Sequence, residues 1–115
     1  MRQILLVLTL ALAVAGCEDD NNPIQPTTGT GTAVSMTGAG VGGTFSPTTL
    51  TTTVGSTVVW TNMDSEVHNT ISNTNLWNSG NVAPNATFSF QFATTGTFAY
   101  RCTIHPTMTG TVIVQ

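Results

Sequence analysis

This sequence carries very little charge: 6% of its 115 residues, with Arg2 and Arg101 the only basic side chains. Without a cationic stripe to track a phosphate backbone, no nucleic-acid partner is expected. Long hydrophobic runs are missing as well, and the one apolar run, residues 4–15, is too short to span a bilayer. Thr, Gly, Ser and Asn fill the polar positions, a composition that suits short strands and tight turns and suits helices badly. Cysteine and histidine number two each, at Cys17, Cys102, His68 and His105. No internal repeat is visible, and the length allows one compact domain with a short extension.

What is present falls into three parts. Met1-Arg2 and the apolar run read as an export signal over residues 1–16. The run ends in Val14-Ala15-Gly16-Cys17, which resembles a bacterial lipobox, where small residues precede a cysteine that is acylated after cleavage. On that reading Cys17 is the lipidated first residue of a lipoprotein, exported, held on a bacterial membrane and facing the periplasm or the exterior. More than one acyl chain makes such attachment stable. The alternative is an ordinary signal peptide cut nearby, with Cys17 free or bonded to Cys102. Residues 17–32 start acidic, turn to Asn, Pro, Thr and Gly, and show no hydrophobic period, so they read as a flexible tether. Residues 33–115 form the folded domain.

Within that domain the pattern is strand and turn. Val58 and Trp60 alternate with Thr57, Val59 and Thr61; Phe88, Phe90 and Phe92 alternate with Thr87, Ser89 and Gln91. Phe98, Tyr100 and Cys102 share one face, which turns the thiol inward while Arg101 points to solvent. Strands are expected over residues 33–36, 48–54, 56–62, 68–72, 86–92 and 97–102, with a last one holding Val112 and Val114. Short strands separated by turn signals at intervals of about ten residues predict a β-sandwich.

The chemistry lies near the end of the chain. Cys102, His105 and Met108 stand in a C-x2-H-x2-M array. A thiolate, an imidazole and a thioether are soft ligands. With a second imidazole they match the His2Cys site with a weak axial Met that holds copper for electron transfer. His68 is the only other imidazole. Zinc also takes Cys and His, but a thioether suits it poorly. If Cys17 carries lipid, a bound metal also explains one unpaired Cys102 in an oxidising compartment.

This array occurs together with Phe45-x-Pro47, the strand from Gly55 to Trp60, Asn62, His68-Asn69, Ser79-Gly80, Gly96-x-Phe98-x-Tyr100-x-Cys102 and Met108-x-Gly110-x-Val112. In that order the motifs resemble the cupredoxin (blue type 1 copper) family, in its plastocyanin and amicyanin-like group, over residues 34–115. The resemblance implies an all-β, Greek-key β-sandwich of about eight strands with one type 1 copper. It places His68, Cys102 and His105 in the ligand plane and Met108 on the axis. Asn69, with Thr103 as partner, ties the two ligand loops together.

The resemblance further implies a monomeric one-electron carrier that is not an enzyme. Its redox partner proteins, donor and acceptor, would dock at the exposed edge of His105 beside Pro106. The acidic docking patch of plastocyanins has no counterpart, because Asp64 and Glu66 are the only acids of the domain and Arg101 precedes the cysteine. Two other functions compete. A copper delivery or storage protein usually has a Met- or His-rich tract, which is missing. A copper-free adhesive sandwich would have no need of the full ligand set.

Overall fold

The computed structural model describes residues 28–38 and 42–115. The expected export signal, Cys17 and most of the expected tether lie outside them. Among the described residues nine strands run in chain order: β1 (Thr28–Thr30), β2 (Ala33–Thr37), β3 (Thr44–Ser46), β4 (Thr49–Thr52), β5 (Thr57–Asn62), β6 (Ile71–Ser72), β7 (Thr87–Gln91), β8 (Gly96–Arg101) and β9 (Thr109–Val114). They form two sheets, ordered β1-β4-β9-β8-β6 and β3-β2-β5-β7. Pairing is mixed: β1 with β4, β4 with β9 and β2 with β5 are parallel, and the other neighbours are antiparallel. The chain is therefore the expected all-β sandwich.

Three elements differ from the sequence reading, one of them β3, which no expected strand covers. β1 falls within the segment expected to be tether and pairs Thr28–Thr30 with Thr49–Thr51. Its Thr-Gly-Thr sequence has no apolar alternation, so periodicity gives it no signal. The sequence pattern starts a strand at His68, but that residue makes an isolated bridge to Val82, and the strand proper begins at Ile71.

Alternation explains why the two sheets close on each other. Val58, Trp60 and Asn62 of β5 are buried, whereas Thr57 is exposed and Val59 and Thr61 are half-buried. The inner faces meet through aromatic rings. Tyr100 of one sheet packs edge-on against Phe45 and Trp60 of the other, with centroids 4.6 and 5.5 Å apart. Trp77, from the β6–β7 connection, joins Trp60 at 5.5 Å and donates its indole N–H to Thr70 Oγ1 at 3.0 Å. Burial pushes the Tyr100 phenol far up, so it stays neutral in the core.

Gly110 lies opposite Tyr100 in the β8–β9 ladder, and a Cβ there would stand 2.5 Å from the phenol oxygen. The absence of a side chain at Gly110 lets the Tyr100 ring lie across β9. This packing fixes the inner end of β8 two residues before Cys102, and with it the direction in which the thiol points.

Candidate metal centre

The β8–β9 connection, residues 102–108, is closed at its neck: Cys102 N–H donates to Met108 O at 2.9 Å. Inside it, Met108 N–H donates to His105 O, also at 2.9 Å. These bonds leave the loop few ways to move. Cys102 and Met108 are buried, and His105 is half-buried. His68 arrives from the β5–β6 connection, held by two backbone bonds to Val82 at 3.2 and 2.7 Å.

The three nitrogen and sulfur donors of His68, Cys102 and His105 lie within 4.8 Å of one another. Cys102 Sγ is 4.0 Å from His68 Nδ1 and 3.9 Å from His105 Nδ1. Metal–nitrogen bonds of about 2.0 Å and metal–sulfur bonds of about 2.3 Å, set about 120° apart, separate the donors by about 3.7 Å. The observed spacing therefore fits one ion in their midst. Met108 Sδ lies beside the His68 ring, since a Cβ added at Gly43 would sit 2.8 Å from that sulfur and 2.9 Å from His68 Cε1. The donors are two imidazoles, one thiol and one thioether, the soft set that suits copper.

Asn69 and Thr103 join the two connections. Asn69 Nδ2 donates to Thr103 Oγ1 at 2.7 Å, and Thr103 N–H donates back to Asn69 Oδ1 at 2.8 Å. Two neutral hydrogen bonds contribute about 1 kcal/mol each. The Asn69 backbone N–H also points at Cys102 Sγ, 3.5 Å away, and such a donor bonds more strongly to a charged acceptor than to a neutral one. Cys102 is a free cysteine, so its sulfur is open to a metal.

Three site residues escape the sequence reading. Gly43 has φ 79°, a left-handed conformation that favours glycine, and it packs directly on His68 and Met108. Gly42 lies as close to Thr107, where an added Cβ would meet Oγ1 at 2.9 Å. Neither glycine belongs to the motifs that mark the site in the sequence. Asp64 belongs by sequence to a polar loop, yet its side chain is 1% exposed and its Oδ2 accepts from His68 Nε2 at 2.8 Å. That hydrogen bond holds the Asp64 carboxyl below the usual carboxylate range, against the opposing effect of burial.

Glu66 meets the other imidazole at the surface. Its Oε2 lies 3.1 Å from His105 Nε2, with the Glu66 and His105 side chains 50% and 18% exposed. The edge of His105, expected among apolar neighbours, thus carries an acid as well. Pro106 beside it is exposed. Arg101 is exposed and donates to Asn73 Oδ1 at 2.8 Å.

Comparison with known proteins agrees with this geometry. A family model described as a cupredoxin-like domain matches residues 4–114. A purple cupredoxin from Nitrosopumilus maritimus is 34% identical, with TM-score 0.65, covering 74% of this chain and 100% of its own. A point mutant of amicyanin in its oxidised state is 26% identical, with TM-score 0.66, covering 73% of this chain and 81% of its own. A copper-containing nitrite reductase from Thermus scotoductus shares the fold at 24% identity and TM-score 0.65, the match covering 73% of this chain and 22% of that longer one. No curated protein gives a significant match. On both the family model and its His-Cys-His-Met arrangement, this chain belongs to the cupredoxin-like family.

Proposed function

We propose that this protein is a type 1 copper electron carrier, in which His68, Cys102, His105 and Met108 hold one copper ion. The observation that carries the reading is the ready-made cluster of donors, held on two connections between strands and cross-linked by Asn69 and Thr103. The ion supplies a centre that takes up and gives up one electron. The protein supplies a frame that changes little between the two states: the closed neck at Cys102 and Met108, the His68–Val82 bridge and the glycine floor. Burial of Cys102, His68 and Met108 keeps water from the sulfur donors, and only His105 approaches the surface.

Electrons would enter and leave at the exposed edge of His105. Ile104 and Val67 are 44% and 38% exposed, and they follow or precede residues of the His105–Glu66 contact. With Pro106 they give an apolar rim around a single acid. The experiment that tests both carrier role and docking edge is electron self-exchange between Cu(I) and Cu(II) forms, read from NMR line broadening. Exchange should occur with copper retained. Pro106→Glu should slow it by about tenfold or more, since about 1.4 kcal/mol of like-charge repulsion costs a decade. Arg101→Gln should change it far less. Release of copper on reduction would support delivery instead, and a larger loss at Arg101 would place docking elsewhere.

The remaining parts of the reading concern residues outside those described. Residues 1–16 would direct export, Cys17 would carry lipid, and the segment up to the first strand would let a monomeric domain stand off from a bacterial membrane. Among the described residues no helix is long and apolar enough to cross a membrane. Cys17→Ser is expected to yield protein without acyl chains that partitions into the aqueous phase of a detergent separation. Mass spectrometry that finds an unmodified Cys17 in native membranes would contradict the anchor.

A further inference from the structure

Of the Asp, Glu and Arg side chains among the described residues, only Asp64 is buried. Burying a carboxylate is costly unless its oxygens are bonded and its charge balanced. Both oxygens are engaged: Oδ1 accepts from Ser65 N–H at 2.6 Å, and Oδ2 from His68 Nε2 at 2.8 Å. The loop that carries it is equally determined. Asn62, buried at the end of β5, accepts from Asp64 N–H at 2.9 Å and donates to Glu66 O and Val82 O at 2.7 and 2.9 Å. Asn62 therefore links the Asp64 loop to the same Val82 that brackets His68.

We propose that Asp64 is a positioning and tuning residue of the metal centre: it holds the Nε2–H of His68, turns Nδ1 toward the metal, and lowers the reduction potential. This rests on the copper reading above. The positioning follows from geometry, because Nδ1 is the His68 nitrogen that faces Cys102 Sγ, and Nε2 is the one that faces the carboxylate. A hydrogen bond from the outer nitrogen fixes the tautomer and raises the basicity of the inner one.

The tuning follows from charge. With the Cys102 thiolate and the Asp64 carboxylate both present, a divalent ion leaves the buried site neutral and a monovalent ion leaves it with one negative charge. Removing the Asp64 charge reverses this, so that the reduced state becomes the neutral one. A low-dielectric surround favours whichever state is neutral. Asp64 therefore favours the oxidised state. Glu66 carries the same charge at the surface, where solvent and salt screen it, so its effect is smaller.

The test compares the copper-loaded wild type with Asp64→Asn and Glu66→Gln by voltammetry. Asparagine keeps the shape and an acceptor oxygen but not the charge. Mutating the outer partner of a metal-bound histidine weakens metal binding roughly 10- to 100-fold. If that loss falls on Cu(II), the potential rises by about 60–120 mV, at about 59 mV per decade for one electron. The blue absorption should persist, and Glu66→Gln should move the potential much less. An unchanged potential in Asp64→Asn, or an equal shift in Glu66→Gln, overturns the inference.

A pale wild type overturns the copper reading instead, so the two failures are distinct. Nitrogen NMR of the diamagnetic Cu(I) wild type gives an independent check that needs no variant. His68 should show a solvent-protected proton on Nε2 and none on Nδ1. A freely exchanging Nε2 proton, or a proton on Nδ1, overturns the proposal.

Discussion

Replacing Cys102 by serine is expected to abolish the intense visible absorption of the copper-loaded protein. That absorption arises from charge transfer between a thiolate sulfur and Cu(II), so it requires this one atom. The position is favourable for it: Cys102 is fully buried, free of disulfide, and receives the Asn69 N–H at 3.5 Å. Serine has similar size but offers a hard hydroxyl that stays protonated. The loss of copper affinity should therefore exceed the roughly 10- to 100-fold cost of losing an outer partner of a ligand. The metal-free fold should survive, because the Tyr100, Trp60 and Phe45 packing does not involve the sulfur. Titration followed by absorption, alongside circular dichroism of the metal-free protein, separates the two effects. Retained colour would mean that Cys102 is not a ligand.

Gly43→Ala should do the second greatest damage, although Gly43 donates nothing to a metal. Its added methyl would stand 2.8 Å from Met108 Sδ and 2.9 Å from His68 Cε1, and Gly43 has φ 79°. Alanine in that conformation costs about 1–2 kcal/mol, and overpacking a tight site adds about 1–3 kcal/mol. Relief must come from one of the two side chains. His68 is held by Val82 on its backbone and by Asp64 on its ring, so Met108 is the one expected to move. The variant should then unfold at lower denaturant and show an altered copper spectrum. Equal midpoints and identical spectra would show that Gly43 does not press on the site.

How far the sequence leads to this centre depends on the range of each contact. C-x2-H-x2-M is legible because its three donors lie on one short connection, and the alternation of Phe98, Tyr100 and Cys102 already turns the thiol inward. His68 is the only other imidazole and the family motif assigns it, although nothing local distinguishes it from a surface histidine. Asn69 and Thr103 come by the same route. Gly43, Asp64 and Glu66 are hidden for a different reason. The partners of Gly43 and Glu66 are fixed only when the two sheets close, whereas Asp64 meets His68 four residues on, inside a loop whose path no periodicity reveals. One signal does exist for the acids. In a domain with two of them, both fall within four residues of a histidine ligand, where a solvated loop would have no need to collect them. The strands themselves are legible wherever apolar residues alternate, and β1, made of Thr and Gly, is not.

The claim on which the rest depends is that His68, Cys102, His105 and Met108 hold one copper. Titration of Cu(II) into the full chain, followed by visible absorption and electron paramagnetic resonance, tests it most directly. An intense sulfur-to-copper band should grow linearly and stop at one equivalent, with a single paramagnetic species throughout. Protein that binds one copper tightly and stays pale, or that prefers zinc under equal competition, would contradict it.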